Sequence, residues 1–73
     1  MAFSFSVSFS SKALAQKGET LFKQLNIKVV TKMAYPGSIQ YYMASAPTEA
    51  VFDQFANEMN ARKTGANALL INK

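Results

Sequence analysis

Residues 2–10 alternate strictly between apolar and small polar side chains. The two alternating sets are Phe3, Phe5, Val7 and Phe9, and Ser4, Ser6, Ser8 and Ser10. Successive side chains of a β-strand point to opposite faces of a sheet, so this period of two predicts a strand with one apolar face. A phenylalanine-rich face must be covered by other apolar side chains, and the predicted helices can supply them.

The cover begins directly after this strand. Ser11 is a favourable N-cap residue for a helix. The apolar side chains that follow have helical spacing and form one stripe: Leu14, Gly18, Leu21, Phe22 and Leu25. Such a stripe predicts an amphipathic helix that packs on the sheet, and Asn26 is expected to end it.

Two further strands are predicted to form a hairpin. Residues 27–35 alternate, with Ile27, Val29, Thr31, Met33 and Tyr35 on one face and Lys28, Val30, Lys32 and Ala34 on the other. Pro36 and Gly37 suit the centre of a type II turn, since proline presets φ and glycine accepts a positive φ. Residues 38–44 follow as the third strand, with Ile39, Tyr41 and Met43 opposite Gln40, Tyr42 and Ala44.

A second helix is predicted after Pro47, which suits a first helical turn. Glu49 lies near its start, and Arg62 and Lys63 near its end, as the helix dipole favours. Gly65 is a typical residue just past a helix end. The apolar residues 66–71 are then expected to form the fourth strand.

The order β-α-β-β-α-β is typical of ferredoxin-like folds. The sequence therefore predicts one α+β domain over residues 1–73, with a four-stranded antiparallel sheet, strands one and three central, and both helices on one face. Hydrophobic residues make up 49% of the chain and charged residues 16%, which is too apolar for a disordered segment. Many unrelated functions share this fold, so the fold predicts none of them.

The residue types present argue against catalysis. The chain has no His and no Cys, the usual general base and the usual structural zinc ligands. Its three glycines match no phosphate-binding loop. Glu49 and Asp53 could share a helix face as a carboxylate pair, but acidic residues are favoured in a first helical turn in any case. We therefore expect a protein that is not an enzyme and uses no cofactor or metal.

The sheet face opposite the phenylalanines is the candidate interaction surface. The side chains assigned to the interface are Ser4, Ser6, Ser8, Val30, Tyr42 and Leu70. Small side chains on a central strand let another surface approach closely, and exposed apolar groups often mark interfaces. The leading hypothesis is a homodimeric protein-interaction module, for example a small inhibitor or adaptor of the kind that phages and mobile elements encode. A plain solvated sheet face is the simpler interpretation.

The positive charge supports a different function. The formal net charge is +4, and the first half is the basic half. The candidate contacts to nucleic acid or another anionic partner are Lys12, Lys17, Lys28, Lys32 and Tyr42. Tyr42 would stack on a base while the lysines bind phosphates, as in single-strand readers. A third alternative is a nucleotide or small-ligand sponge whose site lies between protomers.

The remaining expectation concerns location. No stretch reaches the roughly 18 apolar residues that a membrane-spanning helix needs. The N-terminal segment lacks the positive charge and the uninterrupted apolar run of a signal peptide. We therefore expect a cytoplasmic protein with no membrane contact.

Overall fold

The structure is a computed structural model that describes residues 2–72. The elements, in chain order, are β1 (Phe3–Phe9), α1 (Lys12–Gln24), β2 (Lys28–Tyr35), a 3-10 turn (Pro36–Ser38), β3 (Ile39–Ala46), α2 (Glu49–Glu58), β4 (Arg62–Gly65) and β5 (Ala68–Ile71). Within residues 2–72 the strands form one sheet of five, in the order β2-β3-β1-β5-β4. The α+β class, the first helix and the β2–β3 hairpin are as predicted.

The predicted four-stranded antiparallel sheet is not confirmed. Residues 62–71 form two strands instead of a helix end followed by one strand. β5 lies between β1 and β4 and runs parallel to β1, whereas the β1–β3, β2–β3 and β4–β5 pairs are antiparallel. The sheet is therefore mixed, although β1 and β3 are still interior strands as expected.

The cause of this difference is the end of α2, which comes earlier than the sequence pattern suggested. The helix starts at the N-cap Thr48, whose side chain accepts a hydrogen bond from the N–H of Val51 at 3.3 Å. It ends at Glu58, and Asn60 follows with φ 53°. The left-handed conformation of Asn60 turns the chain out of the helix, so Arg62 and Lys63 belong to β4.

Both helices end in the same way. Asn26 has φ 59°, and the N–H of Ile27 donates to the carbonyl of Phe22 at 2.8 Å. After α2, the N–H of Ala61 donates to the carbonyl of Ala56, also at 2.8 Å. An asparagine at positive φ followed by this backward hydrogen bond is a helix C-terminal motif that satisfies a carbonyl left over at the last turn.

The core lies between the helices and one face of the sheet, and aromatic rings dominate it. Phe5, Val7 and Phe9 are buried, which confirms the predicted apolar face of β1. The rings of Phe22 and Phe55, one from each helix, stack with centroids 4.9 Å apart. Phe5 reaches both helices, with centroid distances of 6.5 Å to Phe22 and 5.9 Å to Phe55. These rings join the two helices to the central strand.

Candidate interaction surface

The face of the sheet turned away from the helices is called the outer face here. In paired strands, residues directly opposite each other point to the same side of the sheet. Val7 is buried under the helices and is paired with Tyr42 on β3 and Leu69 on β5. The neighbours of Val7 along β1, Ser6 and Ser8, therefore define the outer face together with their own partners.

The pairing register arranges the outer side chains in rows across the strands. One row runs through Met33, Tyr41, Ser8, Leu70 and Arg62, from β2 to β4. The next row runs through Thr31, Met43, Ser6 and Ala68. A third row holds Lys28, Ser45 and Ser4. Four residues of the predicted interface thus lie on the face where the sequence placed them: Ser4, Ser6, Ser8 and Leu70.

A β-bulge in β2 changes the face of the residues that follow it. The pairing shifts between Val29, opposite Ala44, and Thr31, opposite Met43. Val30 is the extra residue, and it is 65% exposed. A bulge inserts one residue without a partner, so the alternation after it is reversed. Lys28 lies on the outer face as predicted, whereas Lys32 and Ala34 lie on the helix side, where the prediction was wrong.

The predicted faces of β3 were also wrong. Tyr42, assigned to the interface and to base stacking, is only 1% exposed and packs on the helix side. Its ring contacts Phe9 and Phe22 edge-on, with centroid distances of 5.3 and 5.7 Å. Gln40 and Ala44 are buried on the same side. The outward residues of β3 are instead Ile39, Tyr41 and Met43.

Side-chain volume explains why β3 faces this way. Both of its alternating sets are largely apolar, so periodicity alone does not select one. The β1 side chains under the helices are bulky, and their partners on β3 include Ala44 opposite Phe5 and Ala46 opposite Phe3. Packing at the density of protein interiors favours small residues beside large ones. Ala44 and Ala46 hint at this orientation in the sequence, but only the register with β1 shows that they lie beside Phe5 and Phe3.

The outer face of the β2–β3 hairpin carries a set of exposed apolar side chains, called the ridge here. Its members are 40–65% exposed, apart from the half-buried Tyr41. They are Val30, Met33, Tyr35, Ile39, Tyr41 and Met43. The rings of Tyr35 and Tyr41 pack edge-on at 6.1 Å. Five of these six residues were not part of the predicted interface.

Beside the ridge lies a strip of small side chains, called the trough here, made of Ser4, Ser6, Ser8 and Ala68. A hollow of about 300 Å³ opens between the two. Residues of both strips line it, together with Asn67. The sequence suggested a flat outer face. Instead, the ridge forms a raised half and the trough forms a low half.

On the opposite side of the sheet, Tyr42, Glu19 and Lys32 form a polar cluster at the edge of α1. The phenol of Tyr42 donates a hydrogen bond to Oε2 of Glu19. The same oxygen accepts from Nζ of Lys32 at 3.2 Å. The hydrogen bond from Tyr42, more than the charge of Lys32, lowers the pKa of Glu19, and burial raises the pKa of Tyr42. The hydrogen bond to Glu19 raises the pKa of Lys32.

This cluster changes the role of two predicted nucleic-acid contacts. Tyr42 holds α1 against the sheet through a buried ring and a polar tip, as amphipathic side chains do. Lys32 is engaged with Glu19 and lies 5.6 Å from the centroid of the Tyr42 ring. A second hollow of about 210 Å³ opens here, lined in part by Lys12 and Gln40. Lys17 is exposed on α1.

The five candidate contacts to an anionic partner do not all share a surface, although Lys12, Lys32 and Tyr42 line the second hollow together. Lys28 alone lies on the outer face, at the β2 edge, while Lys12, Lys17 and Lys32 belong to the helix side. Arg62, predicted to lie at the end of the second helix and not as a contact, is the basic residue at the β4 edge of the outer face. Among residues 2–72, the carboxylates are all in α1 and α2: Glu19, Glu49, Asp53 and Glu58.

Two further observations concern metals and membranes. Residues 2–72 bring together no group of three or more His, Cys, Asp or Glu side chains that could hold a metal ion. Neither helix in the described part of the chain has the length and apolar character needed to cross a bilayer.

No protein-family model, no curated protein and no solved structure gives a significant match to this chain.

Proposed function

We propose that this chain is a protein-interaction module that acts by binding, with the outer face of the sheet as its contact surface. The observation that carries the proposal is the ridge. It places six large apolar or aromatic side chains side by side on two neighbouring strands, most of them at least 40% exposed. Isolated apolar side chains are normal on a protein surface, but a contiguous set is typical of contact sites.

The composition of the ridge supports a protein partner. Interface centres are enriched in Tyr and Met and depleted in Lys, Glu and Asp. The ridge contains Tyr35, Tyr41, Met33 and Met43 and no charged residue. Methionine side chains also adapt their shape to a partner. As an inhibitor or adaptor, the module would act by covering a surface of its partner.

A site-specific photo-crosslinker tests this proposal. Placed at Met43 in the expressing cell, it is expected to form one adduct of discrete mass. The matched control carries the same group at Lys17, which is exposed on the helix layer, and is expected to form none. Absence of an adduct at Met43, or equal labelling at both positions, would refute an outer-face contact.

A single-stranded nucleic acid is the second candidate, and one observation favours it. Tyr35 and Tyr41 lie together on the outer face, and Lys28 and Arg62 lie at the edges of that face. Exposed tyrosines on a sheet are stacking platforms for bases. The support is weaker than for a protein, because only these two basic residues share the face with the rings.

A further inference from the structure

We infer that the partner of the outer face is a second copy of this chain, with the ridge of each copy seated over the trough of the other. This inference rests on the proposed function, since it names the partner of the same surface. It follows from the distribution of side-chain size on the two interior strands.

Large and small side chains are separated strand by strand. At each pair of the register between Ser4 and Ser8, the outward residue of β1 is a serine. The outward residue of β3 is Met43 opposite Ser6 and Tyr41 opposite Ser8, whereas Ser45 opposite Ser4 is also small, so the size difference holds in two of the three rows. The raised and the low halves of the outer face are therefore adjacent strips that run along the strands.

A two-fold axis parallel to the strands, between β1 and β3, makes these strips complementary. It exchanges β3 with β1 and β2 with β5, because the order of the four strands is β2-β3-β1-β5. Tyr41 then lies over the partner's Ser8, and Met43 over the partner's Ser6. Met33 of β2 lies over the partner's Leu70. Such a self-complementary contact is what a two-fold dimer requires.

An axis across the strands gives the opposite result. It places each ridge on the partner's ridge and leaves the two troughs facing each other across a gap. The two sheets of a sandwich pack about 10 Å apart with interdigitated side chains. A large side chain on one sheet therefore packs best against a small side chain on the other. The parallel axis is therefore the arrangement that fills the hollow beside Ser6.

The charges on the outer face are compatible with this contact. Among residues 2–72, its charged side chains are Lys28 on β2 and Arg62 on β4, which lie on opposite edges and in different rows. The centre of the contact is thus neutral, and the lysine and arginine side chains lie at its rim. Charged groups at a rim stay solvated and cost little.

The area that overlaps about this axis is that of a small interface. β2, β3, β1 and β5 overlap about this axis and have 8, 8, 7 and 4 residues. At a rise of about 3.3 Å per residue and a strand spacing of about 4.8 Å, they give a flat area of roughly 430 Å² per copy. Side chains that project from the sheet make the accessible area larger than this flat area. The flat total for two copies is about 900 Å², below the roughly 1,200 Å² at which stable specific interfaces begin, so we expect a dimer that forms at high protein concentration.

The first test is the mass in solution. At high protein concentration, the purified chain is expected to have twice its 8.0 kDa mass. Ser6→Lys is expected to weaken the dimer by about tenfold or more, because it places an unpaired ammonium group under the partner's Met43. Gln54→Lys adds the same charge on an exposed position of α2 and is expected to leave the dimer intact. Circular dichroism on both variants verifies that the monomer is folded.

The second test is cross-linking between single cysteines, which the cysteine-free chain makes unambiguous. A mixture of Met33→Cys and Leu70→Cys chains is expected to give the heterotypic cross-link with a short bismaleimide. Met33→Cys alone is expected to give little, since β2 and β5 are three strand spacings apart, about 14 Å. A dominant homotypic Met33→Cys product would overturn the inferred axis.

These measurements distinguish a failure of the dimer from a failure of the outer face as a contact surface. A monomer at every concentration whose Met43 crosslinker captures a different protein would refute the second copy and keep the contact surface. A monomer that also forms no adduct at Met43 would refute both. A dimer whose mass does not respond to Ser6→Lys would show that the copies meet elsewhere.

Discussion

Phe9 of β1 lies directly against Gly18 of α1. A Cβ atom built on Gly18 would lie 2.3 Å from Cζ of the phenylalanine ring. That ring has no room to move, since Phe9 is fully buried and packs edge-on against Phe22 and Tyr42. The helix therefore approaches the sheet this closely only because residue 18 lacks a side chain.

Gly18→Ala is expected to lower the free energy of unfolding. Overpacking a core costs about 1–3 kcal/mol, and the upper part of this range applies because the Phe9 ring cannot move; alanine gains about 1 kcal/mol over glycine in a helix, so the net loss is up to about 2 kcal/mol. Urea unfolding measures it. Gly65→Ala is the control, because its Cβ would meet Ala68 at an ordinary 3.6 Å. Equal stability of Gly18→Ala and the native chain would contradict the close approach of α1.

The free energies of unfolding of two alanine variants distinguish the buried Tyr42 from Tyr41 on the outer face. Tyr42→Ala removes a buried ring and is expected to cost about 3–5 kcal/mol, as large aromatic truncations do. Tyr41→Ala, on the outer face, is expected to cost less than about 1 kcal/mol. Both are measured in the Ser6→Lys background, so that self-association does not contribute. The reverse order of the two losses would restore the face assignment predicted from the sequence.

The contact between Tyr42 and Glu19 predicts a pH dependence of stability. The hydrogen bond from Tyr42 holds the pKa of Glu19 below its ordinary value of 4.5, so the folded state binds fewer protons there than the unfolded state. This contribution is fully present above pH 4.5 and is lost as the pH falls through the lowered pKa. Burial raises the pKa of Tyr42 above 10.0, so its contribution is lost as the pH rises beyond that value.

Glu19→Gln tests the acid limb, which is the decrease in the free energy of unfolding as the pH falls below 4.5. It is expected to flatten the loss of unfolding free energy below pH 4.5. Gln54→Ala, at an exposed position of α2 without a titratable group, is the control and is expected to leave the loss unchanged. Tyr42→Phe keeps the ring and removes the hydroxyl, so it is expected to flatten the acid limb in part. An acid limb that is identical in all four proteins would rule out the hydrogen bond.

Asn60 predicts where α2 ends. Its φ of 53° lies in the left-handed region, which glycine adopts freely and β-branched residues do not. Asn60→Gly is expected to change the stability by less than about 0.5 kcal/mol, and Asn60→Val to lower it by about 1–2 kcal/mol. Thermal unfolding followed by circular dichroism measures both. Tolerance of valine would favour the longer helix that the sequence pattern suggested.

Nucleic-acid binding has its own test, in which the salt concentration is the variable. Light scattering with a short mixed-sequence RNA at two salt concentrations is expected to show a mass that does not depend on RNA. Contacts to phosphates release counterions, so binding through Lys28 and Arg62 would weaken steeply with salt. A low-salt complex that Tyr41→Ala abolishes would replace the protein partner by a single-stranded nucleic acid.

The local elements of this protein follow from its sequence. The alternation in residues 3–9 determines a strand and its buried face, because the period of two is a property of the extended backbone. Ser11 and Asn26 determine the limits of α1, because their side chains and dihedral angles act within one turn. Asn60 ends α2 in the way that Asn26 ends α1. The basic residues after Asn60 favoured a longer helix, so the sequence pattern predicted the end of α2 too late.

The tertiary structure alone decided which side chains reach the outer face. The bulge at Val30 depends on pairing with β3, and the orientation of β3 depends on the volume left beside Phe3 and Phe5. Parallel pairing of β5 with β1 likewise needs the whole sheet. Periodicity describes one strand at a time, whereas a face is assigned by packing between strands. A shift of one residue in β2 therefore moved Lys32 to the helix side and Met33 to the surface proposed for binding.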